Sequence, residues 1–302
     1  MVPCGAGTVA SPIRGRGVSI TDSMRRLSPH RPCLPLLASV LLLAGCAGQP
    51  TRIQTAAALD VAIANPARPA ADRARDAWRH PRQTLLFFGL RPDMVVAEIA
   101  PGGNGWYTQI LGPLLRDQGR LIAAVDPVVP GNAYSEREAK AFRTLLASDP
   151  ARFDRVEVVD FTPGGPTFAA PGSLDLVLTF RNVHNWMARG TADAAFADFY
   201  RVLKPGGVLG VVEHRGNPAV PQDPKAASGY VNQNDAVTLI ERAGFRLVGV
   251  SEVNANPADT KDHVQGVWAL PPTFANGDKD RAKYAAIGES DRFTLKFVKP
   301  RR

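Results

Sequence analysis

Residues 96–105, VAEIAPGGNG, end a short apolar run on a carboxylate, Glu98, and follow it with Gly102, Gly103 and Gly105. Glycines there let a backbone bend sharply and approach a ligand that a Cβ would hold off. A second carboxylate, Asp126, closes another apolar run 28 residues later. An acid at that place can accept hydrogen bonds from both hydroxyls of a ribose, so the pair points to a nucleoside-containing ligand. Nicotinamide, nucleotide and adenosyl ligands all use a glycine-rich turn, and these residues alone do not choose among them.

A third constellation is TFRNVHNWM, residues 179–187, where Arg181, Asn182, His184 and Asn185 crowd beside Trp186. Histidine titrates near neutral pH and can take a proton from an oxygen or nitrogen nucleophile. Arg181 can pair with a carboxylate of a cofactor or a substrate, and Trp186 reads as a core residue. Glu213, His214 and Arg215 follow a later apolar run and face the same end of the molecule, whereas His80 and His263 read as ordinary polar residues. No set of residues has metal-ligand spacing and no serine is placed as an activated nucleophile, so no metal is expected.

These residues need a frame, and the hydrophobic pattern supplies one. Apolar runs at 94–99, 120–126, 155–161, 174–180, 207–214 and 245–253 read as strands. Between them, 106–117, 135–148, 191–203 and 231–244 read as helices, and 71–90 as an amphipathic helical region interrupted near Pro81. Apolar strands alternating with helices indicate an α/β fold with a mainly parallel, doubly wound sheet. The last strand, 292–299, follows an insertion at 254–291 and is expected to enter antiparallel, making seven strands in all. In such sheets ligands bind beyond the carboxyl ends of the strands, where Glu98, Asp126 and TFRNVHNWM all fall.

FYRVLKPGGVLGVVEH, 199–214, resembles the helix–turn–strand unit of class I S-adenosylmethionine-dependent methyltransferases, a Rossmann-like fold. IERAGFRLVGVSE, 240–252, resembles the helix and strand that follow in that family. With the first loop, Asp126 and VVDF at 158–161, the resemblance covers roughly residues 72–299. RHPRQTLLFFGL, NANPADT, GESDRFTLKFVKP and TFRNVHNWM are similar to stretches of a poorly characterised bacterial branch of predicted methyltransferases. The resemblance implies S-adenosylmethionine as cofactor. It assigns Glu98, Ala100, Gly102, Gly103 and Gly105 to the methionine portion, Asp126 to the ribose, Asp160 and Phe161 to the adenine, and Asn182 to a further cofactor contact. It also puts the methyl acceptor, expected to be a small molecule, at TFRNVHNWM, with His184 and Arg181 as the catalytic pair. The chain departs from the family's loop in two places: Ala100 stands where the first glycine is usual, and Asn104 is an extra residue.

The amino terminus has a different character. MRRLSPHRPCLPLLASVLLLAGC, 24–46, runs from a basic start through an apolar stretch to small residues before Cys46, the order of a bacterial export signal. The apolar stretch falls short of the roughly 20 residues a spanning helix needs. Leu43-Ala44-Gly45-Cys46 resembles a lipoprotein signal, which implies cleavage before Cys46 and acylation of that residue. Residues 1–45 are thus read as the export segment, with Met24 an alternative start, and 46–71 as a lipidated tether. Ala47 after the cysteine favours the outer membrane, facing the periplasm. Without residues 1–45 the net formal charge falls from +8 to +4, and no dense basic run remains to suggest nucleic acid.

Three functions remain open on the sequence. One is a methyltransferase carried on a lipoprotein. Another is an exported binding or structural lipoprotein that keeps the fold without turnover, since the cofactor is made in the cytoplasm. The third, a nicotinamide-dependent oxidoreductase, is opposed by RVLKPGG and the late antiparallel strand. Oligomeric state is not legible.

Overall fold

The computed structural model describes residues 49–301; the export-like segment and Cys46 lie outside the described residues. The chain enters through helix α1 (Arg52–Ala64), then the short helices α2 (Ala70–Arg73) and α3 (Asp76–Arg79), and α4 (Pro81–Phe88). Next come β1 (Val95–Ile99), α5 (Thr108–Leu115), β2 (Arg120–Val125), α6 (Ala133–Ser148), α7 (Pro150–Phe153) and β3 (Val156–Asp160). They are followed by β4 (Leu174–Phe180), α8 (Val183–Arg189), α9 (Ala192–Val202) and β5 (Leu203–His214). The chain finishes with α10 (Gln233–Arg242), β6 (Arg246–Ser251), α11 (Arg281–Ile287) and β7 (Arg292–Val298).

The seven strands lie in the order β3-β2-β1-β4-β5-β7-β6. β1 to β5 pair in parallel, and β7 inserts antiparallel between β5 and β6. This is the doubly wound α/β sheet read from the sequence, including its antiparallel last strand. The central strands are buried, while the edge strands β3 and β6 are half solvated. Two apolar layers sandwich the sheet. One holds Leu85, Phe88, Ile110 and Leu111 from α4 and α5; the other holds Trp186, Phe196, Phe199 and Ile240 from α8, α9 and α10.

The segment read as a tether is in part a structural element. Thr51 caps α1 by accepting from the Gln54 amide at 3.2 Å, and the Gln54 side chain accepts from the Thr51 amide at 2.8 Å. Leu59 and Ala62 then bury against the α4 and α5 layer. Its alanines favour a helix once one face has something to pack on.

Near Pro81 the helical region breaks as its proline dictates. His80 adopts φ 39°, and Pro81 opens α4 at the position where its missing amide is no loss. The break lets α2 and α3 fold over the carboxyl end of the sheet. Asp72 anchors them there: its backbone carbonyl accepts from Trp106 Nε1 at 3.0 Å and its carboxylate from Gln109 Nε2 at 2.8 Å.

Candidate functional site

Strand order reverses between β1 and β4, and the residues singled out from the sequence gather at the carboxyl ends of these strands and their neighbours. Glu98, in β1, is 2% exposed and accepts a hydrogen bond from Thr108 Oγ1 at 2.7 Å. Burial raises its carboxyl from 4.5 to about 7, with the Thr108 bond pulling weakly the other way. After β1 the loop turns on Ala100 at φ 47°, a left-handed conformation that strains a residue with a Cβ. Gly102, at φ 72°, has open space where its Cβ would stand, and is the point at which a ligand can reach the backbone.

The other two glycines face elsewhere. The Gly103 amide donates to Glu138 Oε2 of α6 at 2.9 Å, and a Cβ on Gly105 would come within 2.7 Å of Leu145. Both serve the packing of α6 on the loop, in contrast to their assignment as cofactor-lining residues. Asp126 directly follows β2 with its carboxylate half exposed, 3.7 Å from Arg189. Asp160 is exposed at the end of β3.

Phe161, expected against an adenine, is 1% exposed and lies edge-on to Phe168 and Trp186 in the core, so its ring has no free face. Asn182 donates to the Ile99 carbonyl at 3.0 Å and to Thr179 Oγ1 at 3.1 Å. It ties the ends of β1 and β4 together, and its amide nitrogen is occupied in doing so.

TFRNVHNWM spans the end of β4, a two-residue turn and the first five residues of α8. Arg181 turns the chain at φ 65° while its amide donates to the Val212 carbonyl at 2.7 Å. Glu213, fully buried in β5, receives the start of the helix: Oε2 accepts from the Val183 amide at 2.6 Å, and Oε1 from the His214 amide at 2.8 Å. Oε1 also meets His184 Nδ1 at 3.0 Å. A carboxylate can only accept, so this contact sets the ring proton on Nδ1 and leaves Nε2 with its lone pair.

His214 lies beside it, with ring centroids 5.4 Å apart and Nδ1 2.5 Å from Ser290 Oγ. Burial, then the charges of His184, Arg181, Arg292 and Arg79, hold His214 well below the ordinary imidazole range. His184, Glu213 and His214 therefore form a cluster whose ligand-capable atoms lie within 4.8 Å of one another, which no spacing in the sequence suggested. The Glu213 oxygens are already committed to backbone amides and His184, as a positioning group for the histidine requires.

Sequence reading missed the roof of the site. Arg75 and Arg79, from the α2–α3 region, meet Glu289 and Arg292 at the start of β7. Tyr107 stacks on Phe180 at 3.5 Å beneath them. Arg79 also sits 4.7 Å above the Trp106 ring, a favourable place for a cation. The repeated arginines of DRARDAWRHPR were the available hint. Grooves beside Arg120, Asp154 and Val156, and beside Phe87, Leu90 and Lys296, open elsewhere and contain none of these residues.

The chain matches no family model. No curated protein matches its sequence either. Solved structures do match. An S-adenosylmethionine-dependent methyltransferase from Aquifex aeolicus aligns with a TM-score of 0.50 and 14% identity, covering 81% of this chain and 98% of that one. The cyclase SpnF aligns with a TM-score of 0.52 and 16% identity, covering 84% of this chain and 98% of that one. The fold is that of S-adenosylmethionine-dependent methyltransferases. Identities this low carry the fold alone, and a cyclase shares it, so an activity has to be argued from the site.

Glu98 offers a test by pH. Its carboxyl titrates near 7 in the folded chain against 4.5 when free, so folding holds its proton more tightly. The resulting penalty on stability is absent below pH 4.5, grows as pH rises toward 7 and then stays constant, at about 3 kcal/mol. Glu98→Gln is expected to melt higher than the unmodified chain at pH 8 and together with it at pH 4. Equal shifts at both pH values in thermal melts would show that Glu98 is not the titrating group.

Proposed function

We propose that this chain is an S-adenosylmethionine-dependent methyltransferase acting on a small molecule. The observation that carries the reading is the juxtaposition of buried Glu98, open Gly102 and half-exposed Asp126 at adjoining strand ends. A carboxylate buried without a cation suits the ammonium of a methionine moiety, an open glycine suits close backbone approach, and Asp126 suits a ribose. Bound there, the cofactor supplies an electrophilic methyl group on a sulfonium. His184, aimed by Glu213, takes the proton from the acceptor's nucleophilic oxygen or nitrogen. The cover of α2 and α3 keeps bulk water out, and much of the rate enhancement comes from holding acceptor and methyl in line.

Calorimetric titration with S-adenosylmethionine tests the reading. Asp126→Ala is expected to weaken binding by about 1–3 kcal/mol, the cost of hydrogen bonds to a charged group. Absence of binding by the unmodified chain at millimolar cofactor would favour the second reading, an exported binding or structural lipoprotein. Two observations speak for that alternative: strained Ala100 in place of a glycine, and the Gly103 amide already taken by Glu138.

We further infer that the chain is exported and anchored through acylated Cys46 to the outer membrane, facing the periplasm. The support is the run Leu43-Ala44-Gly45-Cys46 behind its basic and apolar segments. More than one acyl chain is needed for stable anchoring, each buried methylene contributing about 0.8 kcal/mol. Cys46→Ser should abolish both acylation and cleavage. An unacylated terminus elsewhere, found by mass spectrometry of the unmodified protein, would remove the anchor.

A further inference from the structure

Three guanidinium groups close around one carboxylate above the carboxyl ends of β4 and β5, and a fourth, Arg181, leaves the end of β4 beside them. Arg75 Nε donates to Glu289 Oε1 at 2.7 Å, Arg79 Nε to Oε2 at 3.2 Å and Arg292 Nη1 to Oε2 at 3.0 Å. Arg181 is half-buried, its charge is felt by Glu289, Arg292 and Arg75, and among the described residues its guanidinium makes no hydrogen bond or ion pair. Glu289 is 4% exposed and Arg79 2%, so this is an interior group of charges. Four cations against one anion leave it strongly positive.

Neighbouring acids do not correct the imbalance. Asp291 is engaged by Lys261 at 3.0 Å, and Asp76 by Arg68 at 2.8 Å. Asp72 accepts from Gln109 and Asn104. Meanwhile Arg79 Nη1 and Arg75 Nη2 are buried with no hydrogen-bond partner. A buried donor left unmade is costly, and a buried cation without its counterion costs more. Arginine forks match carboxylate and phosphate oxygens in a planar, two-bond geometry, which gives these free nitrogens a chemically defined complement.

We propose that the cluster is an anion subsite and that the methyl acceptor carries a carboxylate or phosphate group, seated on Arg79 and Arg181. The identification of the ligand as an acceptor rests on the transferase reading above; the anion subsite does not. Its location fits the acceptor. Arg181 comes directly before α8 and His184, and Arg292 follows Ser290, which holds His214. An anionic group anchored here would sit beside the histidine that takes the proton. The cofactor's own carboxylate has the same chemistry, and the experiment separates the two sources.

The full chain is titrated with inorganic phosphate and with succinate, each with and without saturating S-adenosylhomocysteine. At least one anion is expected to bind in both conditions, with Arg181→Gln lowering its affinity tenfold or more. Arg181→Gln is the cleanest variant because no hydrogen bond is broken. Removing a half-buried cation from an excess of positive charge should also raise its melting temperature in anion-free buffer, and anion should no longer stabilise it. Binding that S-adenosylhomocysteine abolishes would assign the cluster to the cofactor's carboxylate and overturn the acceptor proposal. Absence of binding by both anions, or equal binding by Arg181→Gln, would overturn it as well. Arg181-dependent anion binding in a chain that takes no S-adenosylhomocysteine would uphold the anion subsite and sink the transferase reading alone.

Discussion

Glu289→Gln is expected to destabilise the folded chain by about 3–5 kcal/mol, the usual cost of removing one partner from a buried ionic group. Three arginines donate to this carboxylate, and its loss leaves their charges facing one another in the interior. The pH dependence provides an independent measure. Burial pushes the Glu289 carboxyl up, but Arg79, Arg292, Arg75 and Arg181 together hold it down at about 2 against an ordinary 4.5. A depressed carboxyl contributes stability that is present above pH 4.5 and lost as pH falls through that value toward 2. The difference corresponds to about 3 kcal/mol, in line with the mutational figure. Denaturant titration of both forms at pH 7 and pH 3 reads both effects: the gap should be wide at the first and narrower at the second. A variant as stable as the unmodified chain at pH 7 would mean that the arginines do not depend on Glu289.

Glu98 and Glu289 act in adjoining pH windows with opposite signs. Glu289 supplies stability as pH rises from 2 to 4.5, and Glu98 withdraws it as pH rises from 4.5 to 7. Together they place the optimum of these two contributions near pH 4.5, below the range in which the site would be used. Stability given up at neutral pH by a buried carboxylate is what a site held ready for a cation would show. Binding of an ammonium group at Glu98 would reverse that penalty.

The sheet was legible because its information is local. LDLVLTF is buried except at Asp175, and its reading as β4 agrees at both ends. The positions of Glu98 and Asp126 at strand ends were legible for a related reason: an acid closing an apolar run is placed by the run itself. What escaped was set by contacts distant in sequence. The helix α8 was not among the helices read from the sequence, because its start is received by Glu213, 30 residues away from Val183. Phe161 was assigned to a ligand by its position after β3, but three other aromatic rings claim it. Arg75, Arg79, Arg181 and Arg292 each resemble solvated surface charge when read singly. Only the fold over the break at His80 brings the first two onto the others.

His184→Ala is expected to lower turnover by about 10²–10⁴-fold, the range for loss of a general base, while leaving cofactor affinity unchanged. Two observations set this expectation. Glu213 fixes the ring through Nδ1 at 3.0 Å, so the unprotonated Nε2 is the atom left to act. The proposed cofactor contacts, Glu98, Gly102 and Asp126, lie on other strand ends and do not pass through the histidine. Transfer of labelled methyl to acidic small molecules, chosen by the anion titrations, supplies the assay. The competing account is that His184 only helps Glu213 secure the start of α8. It predicts a drop in melting temperature together with weaker cofactor binding. The two accounts diverge most sharply in His184→Gln, which keeps a hydrogen-bond donor for Glu213 but has no basic ring nitrogen. A structural residue would be largely rescued by it. A general base would not.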